Sequence, residues 1–227
     1  MTFHIITLFP ESLDSYIHSS IVGRAIADKK IKIKFYNPRD FTKDKHRRVD
    51  RQPYGGGPGM VLEAESVVKA VEASLKLKAK SSKLIVWLSP SGKQFDNTYA
   101  EKSAKKYSDI IIICGRYEGI DARARKIIKD LKLQAKNYKL DLVDLSIGPY
   151  VVTGGELPAM IIIDTVARRI PGVLGKIESV EENRIASSEV YTRPEILTYK
   201  GKKYKVPKVL ISGHHKKIEE WRSQKKK

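Results

Sequence analysis

From Ile31 to Tyr36 the chain alternates strictly between apolar and polar residues, IKIKFY, as a half-buried strand does. Leu84–Leu88 (LIVWL) and Asp109–Cys114 (DIIIIC) are instead short continuous apolar runs, the pattern of strands covered on both faces of a parallel sheet. Phe3–Leu8 (FHIITL) is β-branched and apolar, and Leu140–Leu145 reads as one more strand. Between the strands lie helical rhythms. A helix-like stretch follows Pro10 through Ala27, and Glu63–Leu77 sets Val67, Val68, Val71 and Leu75 on one stripe. Asn97–Tyr107 and Ile120–Leu131 follow as helices. Glu156–Ile170 has a centre, AMIIIDTVA, apolar almost all round, which predicts a buried helix. Strands alternating with helices predict an α/β domain on a parallel sheet.

The pattern fails in informative places. Asn37–Met60 is too rich in charge and glycine for a regular element, and Pro171–Val206 reads as a polar connection before a short last helix, His215–Arg222. Lys76–Lys83 and Lys132–Leu140 read as exposed basic loops. The organisation expected is a sheet domain over 1–170, a flexible connection over 171–206 and a short helical segment over 207–227, with no internal repeat.

Charge adds a partner to this picture. Lys and Arg number 44 against 26 Asp and Glu, a formal net of +18. Such an excess favours a polyanion, because each neutralised phosphate releases condensed counterions; general solubility is the alternative. One cysteine, Cys114, excludes an internal disulfide framework and reads as a buried thiol, with a reactive nucleophile as the other reading. The first ten residues lack the pattern of a secretory signal, and no apolar run approaches the ~20 residues that span a bilayer. A cytoplasmic protein with no membrane segment is expected.

Each buried strand is followed by a glycine loop: Ser89–Gly92 (SPSG), Gly115–Gly119 (GRYEG) and Ser146–Met160 (SIGPYVVTGGELPAM). Ligands of open α/β sheets sit at the carboxyl ends of the strands, where all three loops emerge. No phosphate loop, dinucleotide fingerprint, nucleophile elbow or zinc spacing is present. Apolar residues with free backbone groups (Ile147, Tyr150, Val152, Leu157) suit an adenine-bearing cofactor held without strong phosphate contacts. Tight turns alone are the other reading of any one loop.

Six motifs occur in order: YGGGPGM (Tyr54–Met60), LSPSGKQ (Leu88–Gln94), CGRYEGID (Cys114–Asp121), SIGPYVVTGGELPAMIIID (Ser146–Asp164), RIPGVLG (Arg169–Gly175) and YTRPEIL (Tyr191–Leu197). Together they resemble the TrmD family of bacterial tRNA (guanine-N1)-methyltransferases, of the SPOUT superfamily, over nearly the whole chain. The resemblance implies a SPOUT-type parallel sheet with a deep C-terminal trefoil knot and a short C-terminal helical extension. It implies S-adenosylmethionine bound by Trp87, Leu88, Ser89, Pro90, Gly115, Arg116, Tyr117, Glu118, Gly119, Ile147, Gly148, Pro149, Tyr150, Val151 and Val152, with Gly154, Gly155 and Pro158 lining the knot. The implied substrate is the guanosine immediately 3′ of the anticodon (guanosine-37), flipped from its stack. Tyr54, Gly55, Gly56, Gly57, Pro58 and Gly59 would form its pocket, with Arg39, His46 and Arg47 holding the anticodon stem-loop. A homodimer with composite sites is implied as well.

Guanine N1 must lose a proton while charge grows on O6, so a base and a cation are needed. Carried over by motif, Arg168 is the cation; pairing with the helix dipole is its other reading. The position matching the family's basic Asp is Asn183, an amide, which leaves Glu182 one residue earlier, Glu181 and Glu189 as candidates, or Mg²⁺ acting on N1 acidity. The alternatives are a tRNA-binding protein impaired in catalysis, and a SPOUT methyltransferase for another RNA position.

Overall fold

The computed structural model describes residues 1–76, 82–134, 139–175 and 189–224. The chain runs β1 (Thr2–Ile6), a 3-10 turn at Pro10–Leu13, α1 (Asp14–Ile17), α2 (Ser20–Ala27), β2 (Lys32–Tyr36) and a 3-10 turn at Pro38–Asp40. It continues through β3 (Asp50–Arg51), β4 (Val61–Leu62), α3 (Ala64–Leu75), β5 (Lys83–Gln94), α4 (Asn97–Lys106), β6 (Asp109–Ile113) and α5 (Ala122–Gln134). Then come β7 (Leu140–Ser146), α6 (Glu156–Ala167), β8 (Ile196–Tyr199), β9 (Lys202–Lys205), a 3-10 turn at Lys208–Ile211 and α7 (His215–Gln224).

Five strands form one sheet in the order β2-β1-β6-β5-β7, and every pairing in it is parallel. Successive side chains of a strand point to opposite faces, and both faces here are covered. Phe3, Ile5, Leu84, Val86, Ile110 and Ile112 join Ala159, Ile162, Ile163 and Val166 of α6 and Ala100 of α4 in one core. Ile6, Ile85, Ile111 and Ile113 join Val67 and Val71 of α3 and Ala124 and Ile128 of α5 in the other. This double cover is why LIVWL and DIIIIC are unbroken apolar runs. Each isoleucine so buried is worth about 1.5–3 kcal/mol relative to exposure.

Three expectations change. The first concerns β5, which does not stop at Leu88. It resumes pairing with β7 after a bulge, so that Leu88 and Lys93 both stand opposite Leu145 and residues 89–92 loop out of the strand. At Gly92 an added Cβ would lie 2.7 Å from the Asp144 and Leu145 backbone, so only glycine lets the bulge lie against β7. Second, Lys83 is not in an exposed basic loop: it starts β5, buried, and its Nζ donates to the Leu75 carbonyl at 2.6 Å. Burial holds its pKa below the usual lysine value. The neighbouring residues 77–81 and 135–138 lie outside the described residues.

Third, Pro171–Val206 is not featureless. β8 and β9 form an antiparallel hairpin closed by Lys200 and Gly201, both at positive φ (51° and 76°), the geometry of a two-residue type I′ turn. Every residue of both strands is exposed, so no apolar alternation announces them. The chain divides into two compact units, Met1–Val173 and Leu174–Lys227. In the second, the Val206 N–H donates to the Glu195 carbonyl at 3.0 Å, and the Tyr191 and Trp221 rings lie 6.2 Å apart.

Candidate active site

At the carboxyl ends of β5, β6 and β7 the three glycine loops surround a cavity of about 290 Å³. Leu88, Ser89 and Pro90 form one wall, Gly115, Arg116, Tyr117, Glu118 and Gly119 a second, and Ile147, Tyr150, Val151, Val152, Gly154, Gly155 and Pro158 the third. Leu145, Ser146 and Thr153, to which the motifs assign no binding role, also line it. Trp87 is half-buried and packs against the core cluster to which α3 and α5 contribute, and it, Gly148 and Pro149 do not line the cavity. Gly148 serves the turn: a side chain there would collide with the Tyr150 ring, and its N–H donates to Ser146 Oγ at 3.3 Å.

Backbone contacts join the loops to each other. Arg116 and Gly154 form an antiparallel bridge, and the Gly155 N–H donates to the Gly115 carbonyl at 2.9 Å. An added Cβ at Gly155 would stand 2.5 Å from the Cys114 Cα, so the approach requires glycine. Cys114 is buried beneath this crossing, and burial pushes its thiol pKa well up, which makes it an inert core residue rather than a nucleophile.

One buried carboxylate holds Arg116 of the cavity wall without lining the cavity itself. Glu156, the first residue of α6, is buried and accepts a hydrogen bond from Thr7 Oγ1 at 2.7 Å. Its Oε2 lies 3.0 Å from Arg116 Nε, while the Arg116 guanidinium sits 4.6 Å from the centre of the Phe9 ring. Neither Arg116 Nε nor Glu156 Oε2 completes an aligned hydrogen bond. Buried polar atoms in that condition are expensive. The cavity therefore offers apolar walls, backbone amides, a guanidinium not fully committed to its partner, and the Glu118 carboxylate. Sequence reading missed Glu156 because an acidic residue in a helix's first turn reads as a dipole partner.

The glycine loop before β4 ends at this wall. Gly55, Gly56, Gly57 and Gly59 all have positive φ, and Tyr54 is fully exposed. The Glu118 N–H donates to the Met60 carbonyl at 3.0 Å and the Leu62 N–H to the Gly119 carbonyl at 3.0 Å. Gly59 and Met60 thus adjoin the GRYEG loop, a Cβ added at Gly59 meeting the Glu118 side chain, while Gly55, Gly56 and Gly57 face open space. The basic run ahead of them is already braced. Arg39 Nη1 donates to the Arg47 carbonyl at 3.4 Å, Arg47 pairs with Asp40, and Arg48 Nη2 lies 3.2 Å from Asp44. Hydrogen bonds from Arg48 hold the Asp44 carboxyl down at about 2. His46 donates its backbone N–H to the same carboxylate at 2.8 Å.

Arg168 is not brought to the cavity of its own chain. It caps the far end of α6, a helix of 12 residues, and so stands roughly 20 Å along the axis from Gly155. Glu181, Glu182 and Asn183 lie outside the described residues. Glu189 accepts a hydrogen bond from the Tyr191 hydroxyl at 2.9 Å. Among the described residues no group of three or more His, Cys, Asp or Glu side chains could hold a metal, and no helix is long and apolar enough to cross a membrane.

An all-parallel α/β sheet with a backbone-lined cavity at the carboxyl ends of its strands defines a class of cofactor-binding proteins. A family model described as tRNA (Guanine-1)-methyltransferase TrmD matches residues 1–227, and the chain belongs to that family. The tRNA (guanine-N(1)-)-methyltransferase of Clostridioides difficile is 41% identical over 231 residues, covering 99% of this chain and 91% of that one. The same-named proteins of Dictyoglomus turgidum (44% over 222 residues, 96% and 82%) and Pseudoalteromonas atlantica (40% over 229 residues, 98% and 78%) are similar over comparable spans.

Proposed function

We propose that this chain is an S-adenosylmethionine-dependent tRNA methyltransferase acting on N1 of the guanosine immediately 3′ of the anticodon. The observation that carries the reading is the cavity of the three loops, with its incompletely satisfied Arg116–Glu156 pair. Adenine calls for apolar walls and backbone hydrogen bonds, which Leu88, Ile147, Tyr150 and Val152 and their neighbours provide. An amino-acid moiety calls for one group of each sign, and Arg116 and Glu118 are such a pair. When bound, the cofactor supplies a methyl group already activated on sulfur. The chain's own residues then have to orient the base, take the N1 proton and balance charge at O6.

In this reading Tyr54–Gly59 receive the extruded guanine, since glycines at positive φ leave amides open to a planar base. Arg39, His46 and Arg47 hold the stem-loop phosphates. By family resemblance the proton acceptor falls to Glu182 or Asn183, and Asn183, as an amide, cannot fill that role itself. No step is assigned to Mg²⁺.

The reading includes a trefoil knot in the sheet domain over 1–170, supported by the crossing of the 146–155 segment over Cys114–Arg116. It also includes a homodimer. Arg168 stands too far from its own cavity to act there, and Leu157 and Ile161 of α6 are exposed apolar residues one turn apart that a second copy would cover. A two-fold contact along α6 would carry each Arg168 towards the other chain's site.

Transfer of labelled methyl groups to an unmodified tRNA with guanosine after the anticodon, with and without Mg²⁺, tests this function. Collapse in Glu182→Gln would make Glu182 the proton acceptor. Absence of transfer by the native chain, with gain in Asn183→Asp, would favour a tRNA-binding protein impaired in catalysis.

A further inference from the structure

The β8–β9 hairpin has two unlike faces. Leu197 stands opposite Tyr204 and Tyr199 opposite Lys202, so these four side chains share one face; Ile196, Thr198, Lys203 and Lys205 share the other. Tyr199 and Tyr204 remain 61% and 49% exposed. Diagonal neighbours of this kind have Cβ atoms roughly 7–8 Å apart. Lys200 Nζ lies 5.6 Å from the Tyr199 ring centre, and Lys202 Nζ 5.3 Å from that of Tyr204. No Asp or Glu occurs from Ile196 through Ile218, a stretch that holds Lys200, Lys202, Lys203 and Lys205.

A hairpin serving only solubility would not expose two tyrosines and a leucine on one face. Two strands without further cover are marginal in water, so exposed rings on them call for an occupant. The occupant that matches aromatic platforms flanked by ammonium groups is a single-stranded nucleic acid, whose bases stack on the rings while lysines meet phosphates. A paired stem would not fit, because its base faces are already stacked.

We infer that the β8–β9 hairpin is an RNA-docking ribbon, in which Tyr199 and Tyr204 stack unpaired nucleotides of the tRNA substrate and Lys200 and Lys202, whose ammonium groups stand beside those rings, hold the adjoining phosphates. The inference rests on tRNA being the substrate, and it is read by RNA affinity rather than by methyl transfer. A chain that binds RNA through the ribbon but transfers no methyl group would therefore refute only the proposed activity.

The test is fluorescence anisotropy of the full chain with two labelled probes, an unmodified anticodon stem-loop RNA and a fully paired RNA duplex of equal length. The double change Tyr199→Ala/Tyr204→Ala is expected to weaken stem-loop binding about tenfold or more. Tyr199→Phe/Tyr204→Phe, which keeps the rings, should bind within about twofold of the native chain. Lys200→Gln/Lys202→Gln should lower the slope of log affinity against log salt by about one to two. Duplex binding should change little in the tyrosine variants. Unchanged stem-loop affinity in the alanine pair would overturn the inference, as would an equal loss in the phenylalanine pair. So would capture of anionic phosphatidylserine vesicles by the native chain together with tyrosine-independent RNA binding.

Discussion

Arg116 Nε stands 3.0 Å from Glu156 Oε2 below the cavity, yet the two make no aligned hydrogen bond. The pair links the residue following β1 to the ligand wall, since Glu156 also takes the Thr7 hydroxyl. Glu156→Gln keeps the volume and removes the charge. It is expected to cost about 1–3 kcal/mol of stability and to weaken S-adenosylmethionine binding, because Arg116 loses its positioning partner. Thermal unfolding and calorimetric titration of the cofactor measure the two effects.

Gly155 and Gly115 face each other across the loop crossing, but only one has no room for a side chain. Gly155→Ala would drive a methyl group into the Cys114 backbone, and overpacking of that kind costs about 1–3 kcal/mol. At Gly115 an added Cβ meets the Ile120 side chain at 3.8 Å, an ordinary contact. Gly115→Ala should therefore change stability by less than about 0.5 kcal/mol. Denaturant unfolding of the two variants checks the contrast.

Asp44 organises the basic loop through Arg48 and the His46 amide. Its folded pKa of about 2 lies below the ordinary carboxylate value. Whatever it contributes to the loop is present above pH about 4 and is lost as pH falls through about 2. Carboxyl NMR should show this low midpoint, and Arg48→Ala should move it up towards the usual value. An unmoved midpoint would mean that the loop is not braced by this pair.

Arg168 and Gly155 sit at opposite ends of α6, so the proposed homodimer makes a complementation test. Arg168→Ala and Gly155→Val chains should each be inactive. Mixed after denaturation and refolding, they should recover about a quarter of native methyl transfer, from the one intact site of each heterodimer. Recovery near zero would confine both residues to the same site.

Much of this architecture was legible in the chain. LIVWL and DIIIIC predicted doubly covered parallel strands because burial on both faces erases alternation, and the glycine loops predicted where the cavity lies. Lys83 misled, since a lysine beside a basic run reads as exposed until its ammonium is seen to meet the Leu75 carbonyl. The β8–β9 hairpin escaped because neither strand buries a side chain, so only Lys200-Gly201 marked it. Glu156 escaped for a different reason: its importance comes from Thr7 and Arg116, which fold topology, not sequence spacing, brings to it.

The most direct test of the account is nucleoside mass spectrometry of an unmodified tRNA incubated with this chain and S-adenosylmethionine. The account predicts 1-methylguanosine at the position immediately 3′ of the anticodon, abolished when Gly155→Val forces apart the crossing of the two loops at Cys114 that shapes the cavity. A methyl group on another atom or another nucleotide, or transfer undiminished by Gly155→Val, would contradict it.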